Sequence, residues 1–212
     1  MRIFNLFIKR LIDITASLIV LILLLPFFVV VSILLVYKQG FPILFKQRRI
    51  GKGNKEFAMY KFRTMTNAKD PNGNLLSDRE RLTATGKFLR KTSLDELPEL
   101  FNVLIGDMSL IGPRPLLIKY LPYYSKRELK RHEMRPGISG LAQVSGRNHL
   151  SWDERLETDV KYVEKFSILL DIKIVWKTII QVIGQKDVLE VSSDVMPDFD
   201  DYRKQHNENR KT

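Results

Sequence analysis

Residues 14–36 are apolar at every position except Thr15, Ser17, Pro26 and Ser32, a run of 23. About 20 such residues suffice to cross a bilayer core. The run is too long for the h-region of a cleaved leader (~7–15 residues), and no small-residue cleavage pattern follows it. It is therefore expected to stay in the chain and in lipid. Arg2, Lys9 and Arg10 precede it, and Lys38, Lys46, Arg48 and Arg49 follow it. A simple spanning helix concentrates lysine and arginine on its cytoplasmic side; here both flanks carry them. Pro26, near the middle, removes a backbone donor and crowds the preceding turn, which predicts a bend. These features favour a re-entrant helix broken at Pro26, with a proline-kinked spanning helix as the alternative.

After Gly40-Phe41-Pro42 the composition turns to mixed charged and apolar, so the chain divides into a membrane-associated element (1–40), a cytoplasmic domain (41–190) and a polar tail (191–212) expected to be disordered. At 212 residues one compact domain is the expectation. The fold class expected is mainly α with a small β element. Residues 43–45 and 57–60 read as short strands around Gly51-Lys52-Gly53-Asn54, and Ser77 with Glu80 has the spacing of a capping box. Residues 97–105, 116–131 and 152–166 carry helical spacing. Residues 168–183 form an apolar helix that fits either the core or a bilayer surface; core packing is the favoured reading.

The net charge of +11 calls for an anionic partner without choosing among phosphate, nucleic acid and lipid. With no cysteine, thiolate catalysis and Cys-ligated zinc are excluded, leaving carboxylate, hydroxyl, imidazole or a hard cation. Adjacent carboxylates Asp95 and Glu96 precede an apolar helical run. Ser93 and Glu96 have capping-box spacing, so the pair alone reads first as a helix cap. Pro98, however, prefers a first helical turn, which leaves the pair in an irregular, presentable segment. The chemical reading makes one carboxylate a nucleophile at phosphorus and its neighbour a cation or proton ligand. Such chemistry needs positive charge to offset phosphate repulsion. Candidates are Lys61, Arg63, Arg90, Arg114, Arg135 and Arg147, with Arg114 and Arg135 favoured because flanking prolines and glycines fix their backbone. His132 and His149 lack a second ligand at helical spacing and stay unassigned.

Several strings then converge: KRLID at 9–13, YKFRTM at 60–65, SLDE at 93–96, GDMSLIGPRP at 106–115, RPGISG at 135–140 and LAQVSGRN at 141–148. In order and spacing the chain resembles the bacterial sugar transferases, specifically the small monotopic phosphoglycosyl transferases. The resemblance implies that Asp95 attacks the sugar-linked phosphate of a UDP-sugar and expels UMP, forming a covalent phosphosugar that undecaprenyl phosphate then attacks. It implies Mg²⁺ held by Asp95 and Glu96, a helix break at Pro26, membrane lipid as a partner, and a cytoplasm-facing site on the bacterial inner membrane at the first membrane step of polysaccharide assembly. Where the family often has serine before that proline, this chain has Leu25. A polybasic lipid-binding anchor is the rival reading, and it leaves the dyad unexplained. Nucleic acid is not expected as a partner, because the basic residues form no helical stripe with interleaved aromatics.

Overall fold

The computed structural model describes residues 2–146, 150–184 and 197–208. The chain opens with α1 (Arg2–Leu23) and α2 (Leu25–Gln39), which meet at a 62° bend. Pro26 lies in the first turn of α2, where a missing N–H costs no helical hydrogen bond. The bend forms without a side-chain cap at Leu24, so the serine that Leu25 replaces is not required for it. Among the described residues no single helix is long and apolar enough to cross a membrane, whereas the bent pair has that length and composition together.

The helix α1 is inverted relative to a soluble amphipathic helix. Lys9, Asp13 and Ser17, spaced four apart on one face, are buried against the body, while Phe4, Phe7, Leu11, Leu18 and Ile22 point outward. The inward stripe is fully engaged. Lys9 Nζ pairs with Asp171 at 2.6 Å, Arg10 donates to the carbonyls of Val103 and Leu104, and Asp13 Oδ1 accepts from Leu110 N at 3.0 Å.

Strands β1 (Leu44–Ile50) and β2 (Glu56–Phe62) form the expected antiparallel hairpin. Its turn uses left-handed Gly53 and Asn54, a conformation glycine and asparagine tolerate. A short α3 (Asp78–Arg81) starts on the Ser77–Glu80 capping box, and α4 (Ala84–Lys91) and α5 (Glu99–Ile105) follow. A parallel pair, β3 (Ser109–Ile111) and β4 (Gly137–Ser139), ties the two proline-glycine clusters together. The contact is so close that a Cβ on Gly137 would lie 2.1 Å from Gly112 N. The chain ends through α6 (Leu141–Ser145), α7 (Trp152–Glu164), α8 (Ile168–Ile183) and α9 (Phe199–Glu208).

Three expectations are corrected. Residues 116–131 are not one helix: two 3₁₀ helices, Ile118–Tyr123 and Glu128–Glu133, replace it, and Pro122, which has no N–H to donate, falls inside the first. Helix α8 is not a core helix. Only Asp171 and Ile174 are buried, while Leu169, Ile172, Trp176, Ile180 and Ile183 are exposed. The tail is not wholly disordered either, because α9 drives Phe199 completely into a cluster with Tyr120, Tyr124 and Trp152.

Candidate active site

The dyad sits where α4 hands over to α5. Ser93 adopts a left-handed conformation (φ 56°) and makes no side-chain cap, so the capping-box reading of Ser93 and Glu96 gives way to a 3₁₀ turn, Leu94–Glu96, with Pro98 as the N-cap of α5. This irregular connection turns Asp95 inward, to 9 % exposure. Lys61 reaches the same place from β2, on the face that also carries buried Phe57 and Met59, as strand alternation requires. Arg114 arrives from the loop after β3.

The two carboxylates are treated differently. Glu96 Oε1 accepts from Lys61 Nζ at 2.5 Å and from Arg114 Nη2 at 2.9 Å. Burial raises the Glu96 pKa, but Arg114 and Lys61 outweigh it and hold the group at about 2. Among the described residues no hydrogen bond reaches the Asp95 carboxylate. Burial and the neighbouring Glu96 charge push it up to about 6, against the opposing pull of Lys61, Arg90 and Arg114. A third carboxylate, Glu99, lies 3.3 Å from Lys61 Nζ; burial and Glu96 raise it to about 7. One carboxylate is thus pinned and ionised, while its neighbour is unpaired and charged at neutral pH, the state a nucleophile needs.

A cavity of about 640 Å³ opens on the Glu96 side of the dyad. Glu96, Arg114 and Arg155 mark its polar end, and Val20 of α1 with Val175, Ile179 and Val182 of α8 line its apolar wall. It therefore joins the charged site to α1 and α8, two of the helices that expose large apolar surfaces.

Of the basic residues singled out in the sequence, Lys61 and Arg114 contact the dyad, and Arg90, whose Nε bonds Thr64 Oγ1 at 3.0 Å, acts on Asp95 electrostatically. Arg63 instead closes the end of α2, donating to Gln39 O at 2.7 Å, Pro42 O at 3.1 Å and Met65 O at 3.0 Å. Arg135 donates to Gly106 O at 2.7 Å and lines a separate small cavity with Lys9 and Asp13. Arg147 and His149 lie outside the described residues. His132 is buried away from solvent, and burial with the Arg131 charge lowers its pKa to about 3. Sequence reasoning missed Glu99 and Arg155. The Pro98-Glu99 step just after the dyad was the available signal for Glu99; Arg155 carried none.

Two carboxylates are a sparse metal set, and no group of three His, Asp or Glu side chains is placed to hold an ion among the described residues. The hydrogen-bond-free Asp95 and the second oxygen of Glu96 nevertheless suit Mg²⁺, which is commonly held by one or two carboxylates completed by substrate phosphate and water.

The chain is 47 % identical over 184 residues to a Bacillus subtilis protein described as uncharacterized sugar transferase EpsL, covering 87 % of this chain and 91 % of that one. It is 41 % identical over 181 residues to the UDP-N-acetylgalactosamine-undecaprenyl-phosphate N-acetylgalactosaminephosphotransferase of Aeromonas hydrophila (82 % of this chain, 43 % of that one). It is 38 % identical over 185 residues to the UDP-glucose:undecaprenyl-phosphate glucose-1-phosphate transferase of Klebsiella pneumoniae (82 % and 40 %). It thus spans under half the length of these last two relatives. The family model described as bacterial sugar transferase matches residues 4–185, and with the dyad, its basic partners and the bent apolar helices all inside that span, the chain belongs to the bacterial sugar transferase family.

Proposed function

We propose that this chain is a phosphoglycosyl transferase that moves a sugar phosphate from a UDP-sugar to undecaprenyl phosphate at the cytoplasmic face of a bacterial membrane. The observation that carries the proposal is the asymmetry of the dyad: Glu96 is fixed and ionised by Lys61 and Arg114, while the buried Asp95 carboxylate is unbonded.

In the first step an Asp95 carboxylate oxygen attacks the sugar-linked phosphorus. The bond from that phosphorus to the bridging oxygen breaks, and UMP leaves with the electron pair. Arg114 and Lys61 offset the charge that gathers on the phosphate oxygens. In the second step a phosphate oxygen of the acceptor attacks the same phosphorus, and Asp95 departs as a free carboxylate. Mg²⁺ held by Asp95 and Glu96 would supply Lewis-acid stabilisation of the diphosphate. The apolar wall formed by Val20 and α8 suits the first isoprene units of the acceptor, and exposed α1, α2 and α8 surfaces suit a bent insertion with both ends on one membrane face. The relatives' names point to initiation of polysaccharide synthesis and to different sugars, so the sugar is assigned here only as a UDP-linked one.

The test is a single-turnover experiment on the full chain in nanodiscs, with UDP-sugars, Mg²⁺ and no acceptor. A stoichiometric burst of UMP with covalent label on Asp95 is expected, and Asp95→Asn abolishes both. A UMP burst that survives in Asp95→Asn would overturn the assignment.

A further inference from the structure

Arg131 is 1 % exposed, the largest of the fully buried side chains among the described residues. Its Nε and Nη2 donate to Asp159 Oδ2 at 3.1 and 2.7 Å, and Nη2 also donates to the backbone carbonyl of Arg114 at 2.7 Å. Its Nη1 faces His132 Nε2 at 3.1 Å, and His132 Nδ1 is 2.7 Å from Asn54 Oδ1 in the left-handed turn of the β1–β2 hairpin. A guanidinium only donates. His132 Nε2 therefore accepts from Arg131, the imidazole proton sits on Nδ1, and Asn54 Oδ1 receives it.

The chain around Arg114 explains what this network holds. Arg114 lies between Pro113 and Pro115, neither of which has an N–H. The segment is instead held through its carbonyls: Pro113 O accepts from Gly137 N at 3.0 Å, and Arg114 O accepts from Arg131. Both anchors lie one residue or less from the guanidinium that contacts Glu96.

We infer that Arg131 is a positioning residue for transfer: backed by Asp159, and tied through His132 to Asn54, it fixes the Arg114 backbone so that its guanidinium meets Glu96. At 1 % exposure, with its donors directed at Asp159, His132 and the Arg114 carbonyl, Arg131 acts through Arg114 even though it borders the cavity. The inference rests on the catalytic reading of Arg114 and Glu96. A misplacement of about 1 Å at such a group costs on the order of 100-fold in rate. A buried ion pair with a purely structural role would change stability without that coupling.

The test is a double-mutant cycle on the full chain in nanodiscs, reading UMP release and thermal unfolding. Arg131→Lys is expected to lower kcat on the order of 100-fold, with KM for the UDP-sugar within about threefold. In an Arg114→Ala background it is expected to cost less than about threefold. The same factor in both backgrounds would overturn the inference. If Arg131→Lys does not fold, the histidine is the probe: His132→Gln, which can accept from Arg131 and donate to Asn54, should keep kcat, while His132→Leu should lower it, and equal kcat in the two would equally refute the relay. Arg114→Ala with wild-type turnover would instead remove the underlying reading of Arg114, and the relay with it.

Discussion

Lys61 Nζ lies 2.5 Å from Glu96 Oε1, with Glu99 a further 0.8 Å out at 3.3 Å, so one cation bridges two largely buried carboxylates. Lys61→Met should therefore lower stability by about 2–4 kcal/mol at pH 7.5, since removing one partner of a buried pair strands the other. Glu96 is held at about 2 in the folded state, below its unfolded value, so its stabilisation is present above about pH 4.5 and is lost as pH falls through about 2. The gap between wild type and variant, measured by urea unfolding, should narrow over that window. A gap that widens on acidification would exclude this role for Lys61.

Asp95 runs the opposite way. Its folded pKa of about 6 lies above the unfolded value, so the ionised group opposes folding above pH 6, and that cost disappears below about pH 4. Roughly two units correspond to about 3 kcal/mol. In metal-free buffer Asp95→Asn should be more stable than wild type at pH 7.5 and equal to it at pH 4, a sign that chemical denaturation at the two pH values reads directly. The trade of stability for a charged, unbonded carboxylate is what a nucleophile site requires.

How much of this was readable beforehand follows from the physics of each element. The bent helix pair was legible because hydropathy and Pro26 are local signals, and the Ser77 cap and the β1–β2 hairpin were legible for the same reason. The dyad was legible only as a resemblance, since Ser93-x-x-Glu96 has cap spacing and only the left-handed Ser93 backbone distinguishes the outcome. Arg63, Arg114 and Arg135 all sit in strings the resemblance singles out, yet their roles separate through partners far away in sequence: Gln39, Glu96 and Gly106. Lys9 likewise read as a flanking charge, whereas it pairs with Asp171 across 162 positions. The α9 helix was hidden because Phe199 is its one strongly apolar residue amid charges that find partners on other elements, such as Lys119 with Asp200 and Arg203 with Glu128.

The exposed apolar face of α8 gives a spectroscopic handle. The chain has two tryptophans: Trp152 is 6 % exposed inside the body and Trp176 is 65 % exposed on α8. In a Trp152→Phe variant, emission comes from Trp176 alone. If α8 lies in the interface with its apolar face toward the acyl chains, brominated lipids in nanodiscs should quench that emission strongly and aqueous iodide weakly. The reverse pattern would place α8 in water.

Phe199 is the anchor of α9. It is fully buried, with ring centroids 5.2 Å from Trp152, 5.3 Å from Tyr124 and 5.6 Å from Tyr120. Phe199→Ala leaves a cavity between three rings, two of which are themselves held by hydrogen bonds, Trp152 Nε1 to Pro197 O at 2.8 Å and Tyr120 OH to Asp198 Oδ1 at 3.0 Å. Because both bonds end on residues that α9 carries with it, losing the ring also weakens the polar latch. The expected cost is about 3–5 kcal/mol. Hydrogen exchange should show α9 amides unprotected in the variant while α5 and β2 keep their protection, since neither contributes to the cluster around Phe199. Uniform loss of protection would mean that α9 and the site fold as one unit, and that the tail is as integral to the transferase as the hairpin that delivers Lys61.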